Sequence, residues 1–210
     1  WNWPLLAMII TGMLLGFIIS YGFSLLIGDA PSFSVIIAGL TFIFIVKTVV
    51  ENWEWLGGSM GFFNIYQPSY LIIWTYLLLI IIGYLMFLLE ESRISLNASV
   101  IFHDKNLAAS LGIQSKKIAI FFHCFAGVLA GLSGILYALL IGGLTIEFFG
   151  FSMIGTLMAI LFIGGHKCMW GVVLAAPLLG GIPILLPNIL VAWKQVIYGG
   201  LLIIMICFRP

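Results

Sequence analysis

Long apolar runs separated by short polar clusters divide the chain into seven segments. The runs lie at about residues 3–28, 33–50, 69–89, 118–142, 148–165, 171–187 and 195–208. A helix needs about 20 apolar residues to cross a bilayer, and runs such as 77–86 do not alternate between apolar and polar positions as a membrane β-strand does. The pattern predicts an all-α polytopic membrane protein with about seven transmembrane or re-entrant helices, in one domain over residues 1–210. The last two runs are short and bounded by glycine or proline, which leaves open whether they cross the bilayer fully.

Composition excludes several classes of protein. The 210 residues are 63% apolar and 7% charged, whereas roughly a quarter of the residues of a soluble domain are charged. A soluble enzyme and a nucleic-acid binder with a basic face are therefore excluded. Cys124, Cys168 and Cys207 form no CxxC pair and have no metal-ligand spacing. We interpret them as packing residues and predict no metal site and no cofactor.

Charge is concentrated in one loop. Seven of the charged residues fall between positions 90 and 117. Loops on the cytoplasmic side of a membrane protein are enriched in Lys and Arg, so this loop is predicted to be cytoplasmic. Because successive spans cross the membrane in opposite directions, this placement assigns a side to every other span end. Lys47 and Lys194 then lie near the outside, against six basic residues inside: Arg93, Lys105, Lys116, Lys117, Lys167 and Arg209. Residue 1 falls outside, with neither an initiating Met nor a signal peptide, so we expect further spans upstream of it.

Small residues recur at helical spacing on two of the predicted spans. Such rows let helix backbones approach closely in lipid. They predict tight helix packing through Gly12, Gly16, Ser20 and Ser24 on the first span, and through Ala126, Ala130, Gly134 and Ala138 on the fourth, with Gly127 and Gly131 beside them.

A protease-like motif is present but badly placed. Residues 131–134 read Gly-Leu-Ser-Gly, similar to the GxSG of a rhomboid protease, with His123 or His166 as the possible base. Ser133 lies 16 residues beyond Lys117, or about 24 Å along a helix, toward the outer leaflet. Both histidines lie near the inner edge, whereas a nucleophile and its base must come within about 3 Å. No catalytic residue is therefore predicted, and the glycines are assigned to packing.

No energy source for transport is visible in the sequence. Carboxylates within a span would indicate an ion relay, but all seven fall at span ends: Asp29, Glu51, Glu54, Glu90, Glu91, Asp104 and Glu147. The chain contains no GxxxxGK[ST] sequence that would hold the phosphates of ATP. If transport is active, its energy must come from another chain.

The cytoplasmic loop, residues 90–117, contains a complete short helix at 103–112. Asp104 can cap its N-terminus, Gly112 is a natural stop, and Ser115 can cap the next span. Leu107, Ala108 and Leu111 are expected to form a small apolar face. Two interpretations stay open from the residues alone: an ordinary interfacial helix, or a helix that docks into the groove of a partner.

At these positions the chain resembles a known family, the LivM-type permease subunit of branched-chain amino acid ABC importers. The family pattern begins with an acidic residue, continues with Ala-Ala-x-x-Leu-Gly-Ile and a basic residue, and ends in a span rich in small residues. The chain matches this pattern in order at Asp104, Ala108, Ala109, Leu111, Gly112, Ile113, Lys117, Ala130, Gly131, Gly134, Leu136, Tyr137 and Ala138. Further matches are Asn52-Trp53, 57–61, 150–152, Gly164-Gly165, Trp170-Gly171, Leu186-Pro187, Tyr198-Gly199 and 208–210. The chain departs from the family at His103, His166-Lys167 and Val172.

The resemblance implies a function for the short helix. Asp104, Ala108, Ala109, Leu111 and Gly112 would form the coupling helix that contacts a cytoplasmic ATPase. The implied partners are a sister permease subunit, two ATPase subunits and a periplasmic substrate-binding protein, in the lipid bilayer of a bacterial inner membrane. The implied cargo is leucine, isoleucine and valine, with urea or short amides open as alternatives. A self-sufficient secondary transporter or channel is the competing hypothesis.

Overall fold

A computed structural model describes residues 5–27, 30, 32–65, 67–68, 70–165, 169–185, 196 and 199–200. The chain divides into two compact units, Trp1–Leu144 and Thr145–Pro210. The expectation of one domain over 1–210 stays a prediction.

The first unit is built from six helices. They are α1 (Leu5–Ile27), α2 (Ser32–Asn52), α3 (Leu71–Glu90), α4 (Arg93–His103), α5 (Lys105–Ser110) and α6 (Ser115–Ile141). Four of them, α1, α2, α3 and α6, are long and apolar enough to cross a membrane. An apolar core forms where α1 meets α6: Ile9, Leu132 and Leu136 are buried there, with Leu78 and Ile82 of α3 packed against them.

The loop between α2 and α3 is tied to the end of α6. It contains two single-turn 3₁₀ helices, Glu54–Leu56 and Gly58–Met60, and the strand β1 (Phe62–Phe63), which pairs antiparallel with β2 (Gly143–Leu144). The amide of Ile65 donates to the carbonyl of Gly142 at 3.0 Å. The helices α3 and α6 both contact α4.

The second unit contains a tight helical hairpin. A 3₁₀ turn at Ile146–Phe149 precedes α7 (Phe151–Gly164), and α8 follows at Met169–Leu185. With 14 residues, α7 is about 21 Å long, less than the roughly 30 Å of a bilayer core. A Cβ atom at Gly164 would lie 2.5 Å from the Cα of Val172, so α7 and α8 meet backbone to backbone.

The prediction of an all-α polytopic membrane protein is confirmed. The first six predicted runs correspond to α1, α2, α3, α6, α7 and α8, with ends that differ by up to three residues. The helix α4 and the pairing of β1 with β2 were not predicted. Ser115 is the first residue of α6 and does not cap it, since Gln114 holds the N-cap position without a side-chain hydrogen bond. The seventh run, 195–208, lies outside the described residues except for positions 196, 199 and 200.

Candidate functional site

The short helix α5 begins at a side-chain cap. The backbone of Asp104 is extended, with φ −154° and ψ 111°, and its Oδ1 accepts hydrogen bonds from the amides of Asn106 at 2.7 Å and Leu107 at 3.2 Å. A helix of six residues is too short to be stable alone in water. The cap satisfies two amides that would otherwise lack a partner at the helix N-terminus.

The C-terminus of α5 closes in a Schellman motif. Gly112 has φ +76°, a left-handed conformation that favours glycine. Its amide donates to the carbonyl of Ala109, and the amide of Ile113 donates to the carbonyl of Ala108, both at 3.0 Å. This pair of bonds ends the helix and turns the chain toward α6. Both ends of α5 are therefore fixed by local sequence.

The three residues of the apolar face predicted for α5 differ in their exposure to solvent. Ala108 is completely buried, whereas Leu107 and Leu111 are 52% and 63% exposed, and Ala109 is exposed as well. Neighbouring residues on a helix point about 100° apart, so Ala108 can face the bundle while Leu107 and Ala109 point away from it. The expectation of one face made of Leu107, Ala108 and Leu111 is corrected accordingly: Ala108 seats the helix, and the two leucines are presented outward.

The preceding helix, α4, extends this surface. Ser92 caps α4 by accepting a hydrogen bond from the amide of Ser95 at 3.3 Å. Leu96 and Phe102 are 65% and 80% exposed. The helix α4 was not predicted, although the Ser92 cap and the helical spacing of Ile94, Ala98 and Ile101 indicate it.

The charges of residues 90–117 all point to solvent. This whole stretch is described, and none of its charged side chains forms a salt bridge. The ion pair present in the described chain joins Lys47 to Glu51 on α2, at 3.5 Å, with the i,i+4 spacing that the sequence indicates. The charges around α5 are thus available to water or to a partner.

The second candidate surface is the contact between α1 and α6. Gly16 opposes Gly127, and Gly12 opposes Gly131, so the two helices run antiparallel. A Cβ at Gly127 would lie 2.5 Å from the carbonyl oxygen of Gly16, and one at Gly12 would lie 3.0 Å from that of Gly131. There is no space for a side chain at these positions.

The row of small residues on α6 that meets α1 differs by one position from the predicted one. Ala126 and Ala130 are exposed, and a Cβ at Gly134 would meet no atom within 4 Å. These residues take no part in the α1–α6 contact. Of the six packing residues named from sequence, Gly12, Gly16, Gly127 and Gly131 are brought together, and Ala130 and Gly134 are not.

Polar side chains continue the α1–α6 contact toward the C-terminus of α1 and the N-terminus of α6. The hydroxyl of Ser20 donates to the backbone carbonyl of His123, and Ser24 Oγ lies 3.2 Å from His123 Nδ1. Ser24 is buried. His123 is therefore occupied by α1 and not by Ser133, which lies ten residues further on, about 15 Å along the helix. The hydroxyl of Ser133 donates to the carbonyl of Ala130 at 2.9 Å.

The remaining candidates give no further site. The described residues contain no group of three or more His, Cys, Asp or Glu side chains that could hold a metal ion. Cys124 is free and buried. Cys168, Cys207 and His166 lie outside the described residues, as do Asp29, Lys167 and Lys194.

Loss of the Asp104 cap should loosen α5. Asp104→Ala is expected to destabilise the helix by about 1 kcal/mol, which corresponds to roughly fivefold faster amide exchange at 106–112. Asp104→Asn keeps an acceptor oxygen and serves as the control. Hydrogen exchange with mass spectrometry in nanodiscs measures both. Equal loss of protection in the Asn variant would show that charge, and not capping, holds the helix.

Comparison with known proteins gives one match. The family model described as "Branched-chain amino acid transport system / permease component" matches residues 1–206. Searches of curated proteins and of solved structures give no match.

Proposed function

The chain belongs to the permease components of branched-chain amino acid transport systems, and from this premise we propose that it is a LivM-type, membrane-spanning subunit of an ATP-driven importer. It provides a path through the bilayer and has no catalytic residue of its own. ATP is hydrolysed in separate subunits, and the energy reaches this chain through residues 90–117.

The geometry of α5 carries the proposal. The helix is capped by Asp104, stopped at Gly112 and seated through the fully buried Ala108. Its outward side presents Leu107, Ala109 and Leu111 at the end of the bundle predicted to be cytoplasmic. A short rigid helix with small and apolar outward residues can enter a groove on a partner. Such a contact transmits force because both ends of the helix are held.

Family membership supports the proposed partners and cargo. We assign the chain to a complex with a sister permease subunit, two cytoplasmic ATPase subunits and a periplasmic substrate-binding protein, in a bacterial inner membrane. The cargo is leucine, isoleucine and valine. Labelled urea and acetamide, supplied beside the three amino acids in an uptake assay, distinguish this cargo from the alternative small amides.

Affinity purification of the full-length protein from its native membrane tests the assembly. Recovery of ATPase subunits is expected. A chain that is recovered alone and transports without them after reconstitution would overturn the proposal in favour of a self-sufficient transporter.

The exposed Ala109 gives a direct test of docking. Ala109→Arg is expected to reduce uptake about tenfold or more, because an arginine side chain prevents close approach of the partner without disturbing the bundle. Loss of one well-packed interface contact costs about 1–2 kcal/mol, or one decade in affinity. Ala109→Ser, which stays small, should retain uptake. Normal uptake by the Arg variant at normal expression would contradict the docking role.

A further inference from the structure

The geometry points to α1 and α6 moving as one rigid body during transport, with the path opening at other helix contacts. Rows of small residues in membrane proteins can also permit helices to slide past each other, and the sequence leaves both behaviours open. The contacts between these two helices favour a lock. The inference goes beyond the proposed function and depends on it only for the uptake measurement below.

Steric interlock is the first argument. Each of Gly12, Gly16, Gly127 and Gly131 places its backbone against a backbone atom of the opposite helix, and Ile135 fills the space over Gly12. Rotation of either helix about its own axis by one residue, about 100°, would bring the larger Met13, Phe17 or Val128 toward these positions. Packed surfaces of this kind have discrete arrangements and do not deform continuously.

Polar contacts are the second argument. Ser20 bonds to the carbonyl of His123, and Ser24 bonds to its ring. Separation of the helices would break both contacts in surroundings that offer little water to replace them. Interhelical hydrogen bonds stabilise helix association in membranes, and here two of them converge on His123, next to the glycine contact.

The neighbouring helix α2 shows the contrast. None of residues 33–52 is buried, and three polar side chains of α2 bond within the helix itself. Thr41 donates to Ile37, Thr48 to Phe44 and Asn52 to Thr48, at 2.8–2.9 Å. Displacement of α2 breaks none of these bonds, so relative motion is less costly there than between α1 and α6.

Disulfide trapping tests the lock in the assembled transporter. The three native cysteines are replaced by alanine, and Ser24→Cys is combined with His123→Cys. Ser24 Oγ and His123 Nδ1 are 3.2 Å apart, and Nδ1 is one bond from the atom that a cysteine sulfur would replace, so a disulfide can form. Leu26→Cys with Phe121→Cys is the matched control, since both positions are exposed and each lies two residues from the tested site.

The outcomes are separable. We expect the 24/123 pair to form a cross-link that is visible on gels, and the control pair to form none. Uptake by the oxidised protein should stay within a factor of about two of uptake by the same protein after reduction, as a rigid body requires. A cross-linked protein that transports only after reduction would overturn the inference, as would failure of the 24/123 pair to cross-link. Absence of uptake by the reduced parent protein would instead contradict the transport function, while the gel result still reports on the helix contact.

Discussion

Gly127→Leu is expected to reduce strongly the amount of folded protein in the membrane. The Cβ of any side chain at this position would lie 2.5 Å from the carbonyl oxygen of Gly16 and 2.8 Å from Ser20 Oγ. Backbone atoms cannot rotate away as a side chain can, so α1 must separate from α6, and the bonds of Ser20 and Ser24 to His123 are lost with it. We estimate a destabilisation of about 3 kcal/mol or more, at the upper end of overpacking costs.

A matched control lies on the same helix. Gly134→Leu places the same side chain one heptad further on, where a Cβ meets no atom within 4 Å. It should retain normal expression and thermal stability, whereas Gly127→Leu should lower the melting temperature by about 6–12 °C. Fluorescence-detected size-exclusion chromatography after heating measures both. Equal stability of the two variants would show that the close α1–α6 contact does not hold the bundle together.

Ala108→Arg is expected to disrupt the end of the bundle that carries α4 and α5, and not merely a docking contact. Ala108 is completely buried, so an arginine there either carries an unpaired charge into the protein or forces α5 off its seat. Burial of an unpaired charge costs about 3–5 kcal/mol. The expected results are rapid proteolysis between α4 and α6 and loss of ATPase subunits during purification.

The neighbouring Ala109→Arg separates stability from docking. It introduces the same side chain one residue away, on the exposed side of α5. We expect this variant to resist proteolysis as the parent does and yet to lose uptake. If both variants were equally sensitive to protease, Ala109 would belong to the seat of the helix, and its assignment to the docking surface would be wrong.

The cap and stop of α5 illustrate what local sequence predicts well. Asp104 and Gly112 act through backbone groups no more than a few residues away, and such interactions depend little on the rest of the fold. The spans are predictable for a similar reason, because the bilayer requires a run of apolar residues whatever the helix packs against. Both kinds of feature were identified at nearly their observed positions.

The error on α6 has a different cause. The rows containing Gly127 and Gly134 are both rich in small residues, and the two rows are neighbours on one helix. The row that faces α1 depends on the rotation of α6 about its own axis. Because both rows contain small residues, residue composition hardly distinguishes one rotation from the other. His123 was missed as a structural residue because its partners, Ser20 and Ser24, are about a hundred positions away in sequence.

Hydropathy and local sequence were sufficient to establish a polytopic helical membrane protein and a capped helix on its charged loop, since each depends on solvent or on near neighbours. Tertiary contacts decided which residues have structural roles. Gly127 and Gly131 lie in the α1–α6 contact, and His123 contacts two serines of α1. Ala108 of α5 is buried, while Leu107 stays exposed. Each residue along a helix turns about 100°. A shift of one residue in the face that a helix turns inward therefore changes which side chains are buried, and packing against the opposite helix determines that face.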